Sequence, residues 1–226
     1  MSKLVGLCIA LIVLITSGVF TYIHFERIEN FILSAPRDLL WLSMLALGFI
    51  GASSVIVPIP YTGIIFIISS SIPEVNTIEI AVFVGIGSAL GEITGWLMGF
   101  AMRKLVPKSY RGRAEAFLKF IRAKGVWALY LLLFIFAFTP LPDDAVFIAL
   151  GILRFPIIKA LIPCIVGKIL AIYSIATLGK MFGEVLEETI GIAGTMILTL
   201  VLITSFIIIV FAINWEELLS KFIKTK

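Results

Sequence analysis

This sequence predicts an all-α membrane protein, and three observations predict it: long apolar runs, charge gathered between them, and paired prolines that break two of the runs. Hydrophobic residues fill 61% of the 226 positions and charged residues only 14%. A water-soluble domain commonly carries about 25% charged residues to cover its surface. Apolar stretches of roughly 18 residues or more recur, the length a helix needs to cross a hydrocarbon core of ~30 Å. The chain 1–226 therefore reads as a single transmembrane domain.

The first apolar run, residues 4–23, follows Lys3. It is longer than a secretory h-region and no small-residue cleavage site follows it, so a retained first helix is expected. His24 closes that run as an interfacial residue. Cys8 and Cys164 both sit inside apolar runs, which fits neither a disulfide framework nor a metal cluster. No metal or other cofactor is expected.

Two further runs, 39–72 and 126–153, are interrupted by Pro58-Ile59-Pro60 and Pro140-Leu141-Pro142. Two prolines one residue apart remove two backbone donors and end a helix. At membrane depth such a break is tolerated only inside protein or against a wet cavity. Both runs are therefore expected to be re-entrant hairpins, which dip in and return to the side they entered. The runs 4–23, 78–102, 157–180 and 189–213 supply about four full transmembrane helices.

Charge placement orients them. Residues 103–125 carry Arg103, Lys104, Lys108, Arg111, Arg113, Lys119, Arg122 and Lys124 against Glu115 alone. Such a loop belongs on the cytoplasmic side. With two hairpins, that side collects all of the 18 basic residues except Arg27, Arg37, Lys168 and Lys180. Both termini then lie in the cytoplasm, and Glu26, Glu29, Asp38, Glu74, Glu79, Glu184, Glu187 and Glu188 lie outside. The expected location is the plasma membrane, as a multi-pass protein. In the basic loop Ala114, Phe117, Leu118 and Ile121 share one helical face, and Trp215, Leu218, Leu219, Phe222 and Ile223 repeat the pattern in the tail 214–226. Both read as amphipathic elements lying at the headgroups.

The hairpins look related. Pro58, Pro60, Gly63 and Gly85 register with Pro140, Pro142, Ala145 and Gly167 at one constant spacing. Entering from opposite sides, they make an inverted repeat, an architecture that puts a transport site near the midplane.

Candidate site residues cluster around these breaks. Gly87, Gly91, Gly95 and Gly99 recur every fourth position. They form a stripe that lets helices approach closely, or leaves room for a hairpin or substrate to slide. Glu92 stands beside the stripe. A charged side chain at that depth costs roughly 2.5–3.5 kcal/mol on insertion scales, so it should face a partner or water. Asp143 and Asp144 follow Thr139-Pro140-Leu141-Pro142, and Lys168 is the cation within reach of that tip. Tyr61 and Thr62 are the matching positions after Pro58 and Pro60. Glu92, Asp143, Asp144 and Lys168 form either a buried structural salt bridge or a proton- or cation-coupling site.

Together these residues resemble the DedA family, also called the VTT or SNARE-associated membrane proteins. The resemblance covers roughly residues 40–180. It rests on Val57-Pro58-Ile59-Pro60, on the glycine motif from Gly87 to Gly99 with Glu92 and Trp96, and on Phe138-Thr139-Pro140-Leu141-Pro142-Asp143-Asp144 with Gly151. It implies an inverted repeat with two re-entrant hairpins, and movement of phospholipids or polyprenyl-phosphate carriers between leaflets. The chain departs from the bacterial pattern: Ala137 and Asp143 stand where arginines are common, and Ile50 and Thr62 where acids are. It is more similar to an archaeal-type branch.

The expected function is lipid translocation, as scramblase or flippase, with protons as a candidate coupling ion. The alternative is a proton- or sodium-coupled exporter of small cations, using Asp143, Asp144 and Glu92. A third reading is a membrane scaffold. No nucleotide loop, metal-ligand spacing or nucleophile–base pair is present, so neither an enzyme nor a nucleic-acid partner is expected. Membrane lipids are the expected partners, and a homo-oligomer is left open.

Overall fold

The computed structural model describes residues 39–53, 61–71, 76–107, 125–139 and 143–212, with isolated positions at 19, 23, 27 and 112. Most of the first apolar run, Pro58, Pro60, Pro140, Pro142, most of the basic loop and the tail 214–226 lie outside the described residues. What is described is all helix, with no strand among those residues. The elements are α1 (Leu40–Ser53), α2 (Tyr61–Ser71), α3 (Thr77–Met102), α4 (Val126–Phe138), α5 (Asp143–Ile152) and α6 (Ile157–Ala212).

Each end has a local cause. At the start of α3 the Asn76 side chain accepts from Ile78 N–H at 2.9 Å, and Glu79 follows in the first turn. The cap satisfies an orphan donor and the acid meets the positive end of the helix dipole. At the end of α5, Arg154 N–H reaches the Gly151 carbonyl at 3.0 Å and Phe155 N–H the Leu150 carbonyl at 2.9 Å. That is a Schellman cap, with Arg154 at φ 55° in the left-handed position that glycine usually holds. Phe155 is buried beneath it, and its carbonyl accepts Trp96 Nε1–H at 3.0 Å.

α6 corrects one boundary. The sequence places a connection between residues 180 and 189, but the helix runs on through Glu184, Glu187 and Glu188 and bends only at Gly191, φ 69°. The intervening stretch contains no proline, and its Glu, Leu and Met residues are good helix formers. Gly191, without a Cβ, takes the left-handed turn without strain.

α3 is the central element on one side, packed against α1, α5 and α6; α6 answers it, packed against α2, α3 and α4. Ile80, Ala81 and Val84 share a core with Ile172 and Ala176, whereas Ala89 shares one with Ala160 and Cys164. The two long helices therefore cross antiparallel. The glycine stripe serves two neighbours. A methyl at Gly87 would run into the Leu45 carbonyl, and one at Gly91 into Ala52 and Phe49, both on α1. A methyl at Gly99 would run into the Ile148 carbonyl of α5, and Gly95 faces Asp144. α1 thus follows the first half of α3 in the same direction, and α5 follows the second half.

α3 and the stretch Ile157–Phe182 of α6 are long and apolar enough to cross a membrane. Trp127, Leu131, Ile135 and Phe138 line an exposed face of α4, and Ile158, Ile162 and Val166 one of α6. Exposed apolar faces of that length suit contact with lipid.

Candidate functional site

Three buried polar side chains, Ser88, Glu92 and Lys168, gather where α3 and α6 cross. On α3, Ser88 and Glu92 stand four residues apart, so they share a face. On α6, Cys164 and Lys168 repeat that spacing. α2 begins at Tyr61 and α5 begins at Asp143 and Asp144. The first turns of two short helices, each following a Pro-x-Pro break, therefore carry residues that meet the crossing of the two long ones.

Lys168 Nζ lies 2.9 Å from Glu92 Oε1 and 2.5 Å from Asp143 Oδ2. Glu92 is 1% exposed and Lys168 7%. Taking such groups out of water costs several kcal/mol per ion, and only close opposite charge with good hydrogen bonds offsets it. Asp143 gains further from its place at the positive end of the α5 dipole. Beside the triad, the Tyr61 hydroxyl and Ser88 Oγ are 2.8 Å apart. Gly51 makes room for this, since a methyl there would collide with the Tyr61 ring. Cys164 is fully buried one turn before Lys168 and lies in the field of Lys168, Glu92 and Asp143.

Two acceptors remain. Glu92 Oε2 and Asp144 Oδ1 are buried without a hydrogen-bond partner. The centre thus sets three carboxyl groups against one ammonium, and its surplus is acidic.

The chain matches no protein-family model, no curated protein and no solved structure.

Of the residues singled out in the sequence, Glu92, Asp143, Asp144, Lys168 and Tyr61 come together. Thr62 sits beside Tyr61 in the first turn of α2. Thr139 serves the backbone: it caps α4, with its hydroxyl donating to the Ile135 carbonyl at 2.6 Å. Gly87, Gly91, Gly95 and Gly99 pack helices around the centre without entering it. The sequence expected Lys168 to meet Asp143 or Asp144; it meets Asp143 and also Glu92. Ser88 and Cys164 were missed. Their signal was spacing, one helical turn before Glu92 and before Lys168.

Proposed function

We propose that the chain is a membrane lipid translocase, moving phospholipid or a polyprenyl-phosphate carrier between leaflets, and that it transports without chemical conversion. One observation carries this: a buried ion-pair triad, Glu92–Lys168–Asp143, at the crossing of two membrane-length helices. Intramembrane charge is expensive and is retained where something polar must pass. The packing supports a finer architecture. α1 runs toward the middle of the bundle beside the first half of α3, and α2 runs away from it along α6; α4 runs toward the middle beside the start of α6, and α5 runs away from it beside the second half of α3. That arrangement supports two re-entrant hairpins entering from opposite faces, and with them the reading of an inverted repeat in a multi-pass protein of the plasma membrane. The motif resemblance to the DedA family agrees with this reading.

The second reading, a proton- or sodium-coupled exporter of small cations, is favoured by the acidic surplus of the centre. Purified protein in liposomes separates the two. Exchange of labelled phospholipid or polyprenyl phosphate above that of protein-free liposomes, lost on Lys168→Met, supports the translocase. Cation flux in the absence of lipid exchange supports the exporter instead.

A further inference from the structure

Lys168 serves one side of the acidic group and leaves the other bare. Its ammonium engages Glu92 Oε1 and Asp143 Oδ2. Glu92 Oε2 and Asp144 Oδ1 are buried and accept nothing, although the two carboxyl groups are within hydrogen-bonding reach of each other. Glu92 is 1% exposed, so water does not compensate it. Two ionised carboxylates so placed repel one another, whereas one hydrogen between them converts the contact into a short, charge-assisted O–H···O bond.

We propose that Glu92 and Asp144 share one exchangeable proton, and that this pair, with Asp143 held as the fixed partner of Lys168, is the ion-coupling element of the centre. This rests on the centre being the transport site. The step makes and breaks a single O–H bond: a proton arrives from water on one side and returns to water on the other. Loading the pair takes the centre from two net negative charges to one.

The polar groups around the pair come from four helices. α3 contributes Ser88 as well as Glu92, α5 contributes Asp143 with Asp144, α6 contributes Lys168 and Cys164, and α2 contributes Tyr61 through its bond to Ser88. α1 contains no titratable residue. Tyr130, the one titratable residue of α4, lies against Trp127 near the other end of that helix. A hard metal ion in place of the proton would need about six oxygen ligands. Among the described residues no three His, Cys, Asp or Glu side chains are placed to hold one.

Infrared difference spectroscopy of the full-length protein in lipid reads the proton directly, as the carbonyl band of a protonated carboxylic acid. One such band is expected at neutral pH. Glu92→Gln and Asp144→Asn should each remove it, because an amide donates the hydrogen bond that the proton otherwise supplies. For the same reason both variants should stay folded, with melting temperatures within a few degrees of the parent. Glu79→Gln, in the exposed first turn of α3, should leave the band intact. Absence of the band at neutral pH, its survival in either variant, or its loss on adding Na+ at fixed pH overturns the proposal. A band in a protein that moves no lipid leaves the shared proton standing and removes the translocase; lipid exchange without the band removes the proton pair alone.

Discussion

At the scale of single residues, the buried triad and the strained Arg154 make opposite predictions about substitution. Lys168→Met strands Glu92 and Asp143 without a counter-charge, and stranding a buried charge costs roughly 3–5 kcal/mol. Adding Glu92→Gln and Asp143→Asn to Lys168→Met should recover most of that loss. Thermal unfolding in detergent checks it, and additive losses across the three changes would dissolve the triad. Arg154 is exposed and holds a left-handed backbone conformation, which costs an L-residue about 1 kcal/mol relative to glycine. Arg154→Gly should therefore raise the melting temperature, and a fall would show that the guanidinium itself does something the cap does not need. Part of this was legible beforehand. A lysine and three acids inside apolar runs demand partners, and a pairing of Lys168 with Asp143 or Asp144 was read from that demand alone. That Glu92 takes the second place could not be read, because the crossing angle of α3 and α6, not sequence spacing, decides which acid the ammonium reaches.

Among the helices, the glycine stripe divides its work, and the division can be tested position by position. Gly95 has Asp144, Phe147 and Ile148 at 3.6–3.8 Å from where a methyl would stand, ordinary contact distances. Gly99 has the Ile148 carbonyl in the way, and Gly151 faces the Trp96 carbonyl from the other helix. Gly95→Ala should be near neutral, whereas Gly99→Ala should push α5 off α3 and cost roughly 1–3 kcal/mol. Protease sensitivity of the α5 region, measured alongside melting, distinguishes the two; equal effects would mean that the stripe packs against one surface only. The sequence reveals the stripe because period four is visible in one dimension. It conceals that an α-helix turns 3.6 residues per cycle, so that a four-residue period drifts from α1 toward α5 along its length. The same limit explains α6, whose acidic stretch reads as a loop by hydropathy while its residues favour helix.

For the molecule as a whole, the packing predicts which ends share a membrane face. The start of α3 and the turn after α5 lie at opposite ends of the bundle. In sealed vesicles, cysteines placed at Glu79 and at Arg154 should be labelled from opposite sides by an impermeant reagent. Labelling of both from one side would end the two-hairpin reading. The exchange of partners between the halves has another consequence, this one for how the protein is made. Glu92 leaves the ribosome well before Lys168, and at roughly 5–20 residues per second the interval is several seconds. During that time α3 sits in or near the bilayer with a carboxyl group and no ammonium, and its second half lacks α5. The first half of the chain is thus an incomplete product, held against its own insertion cost until the second half arrives to neutralise and cover it.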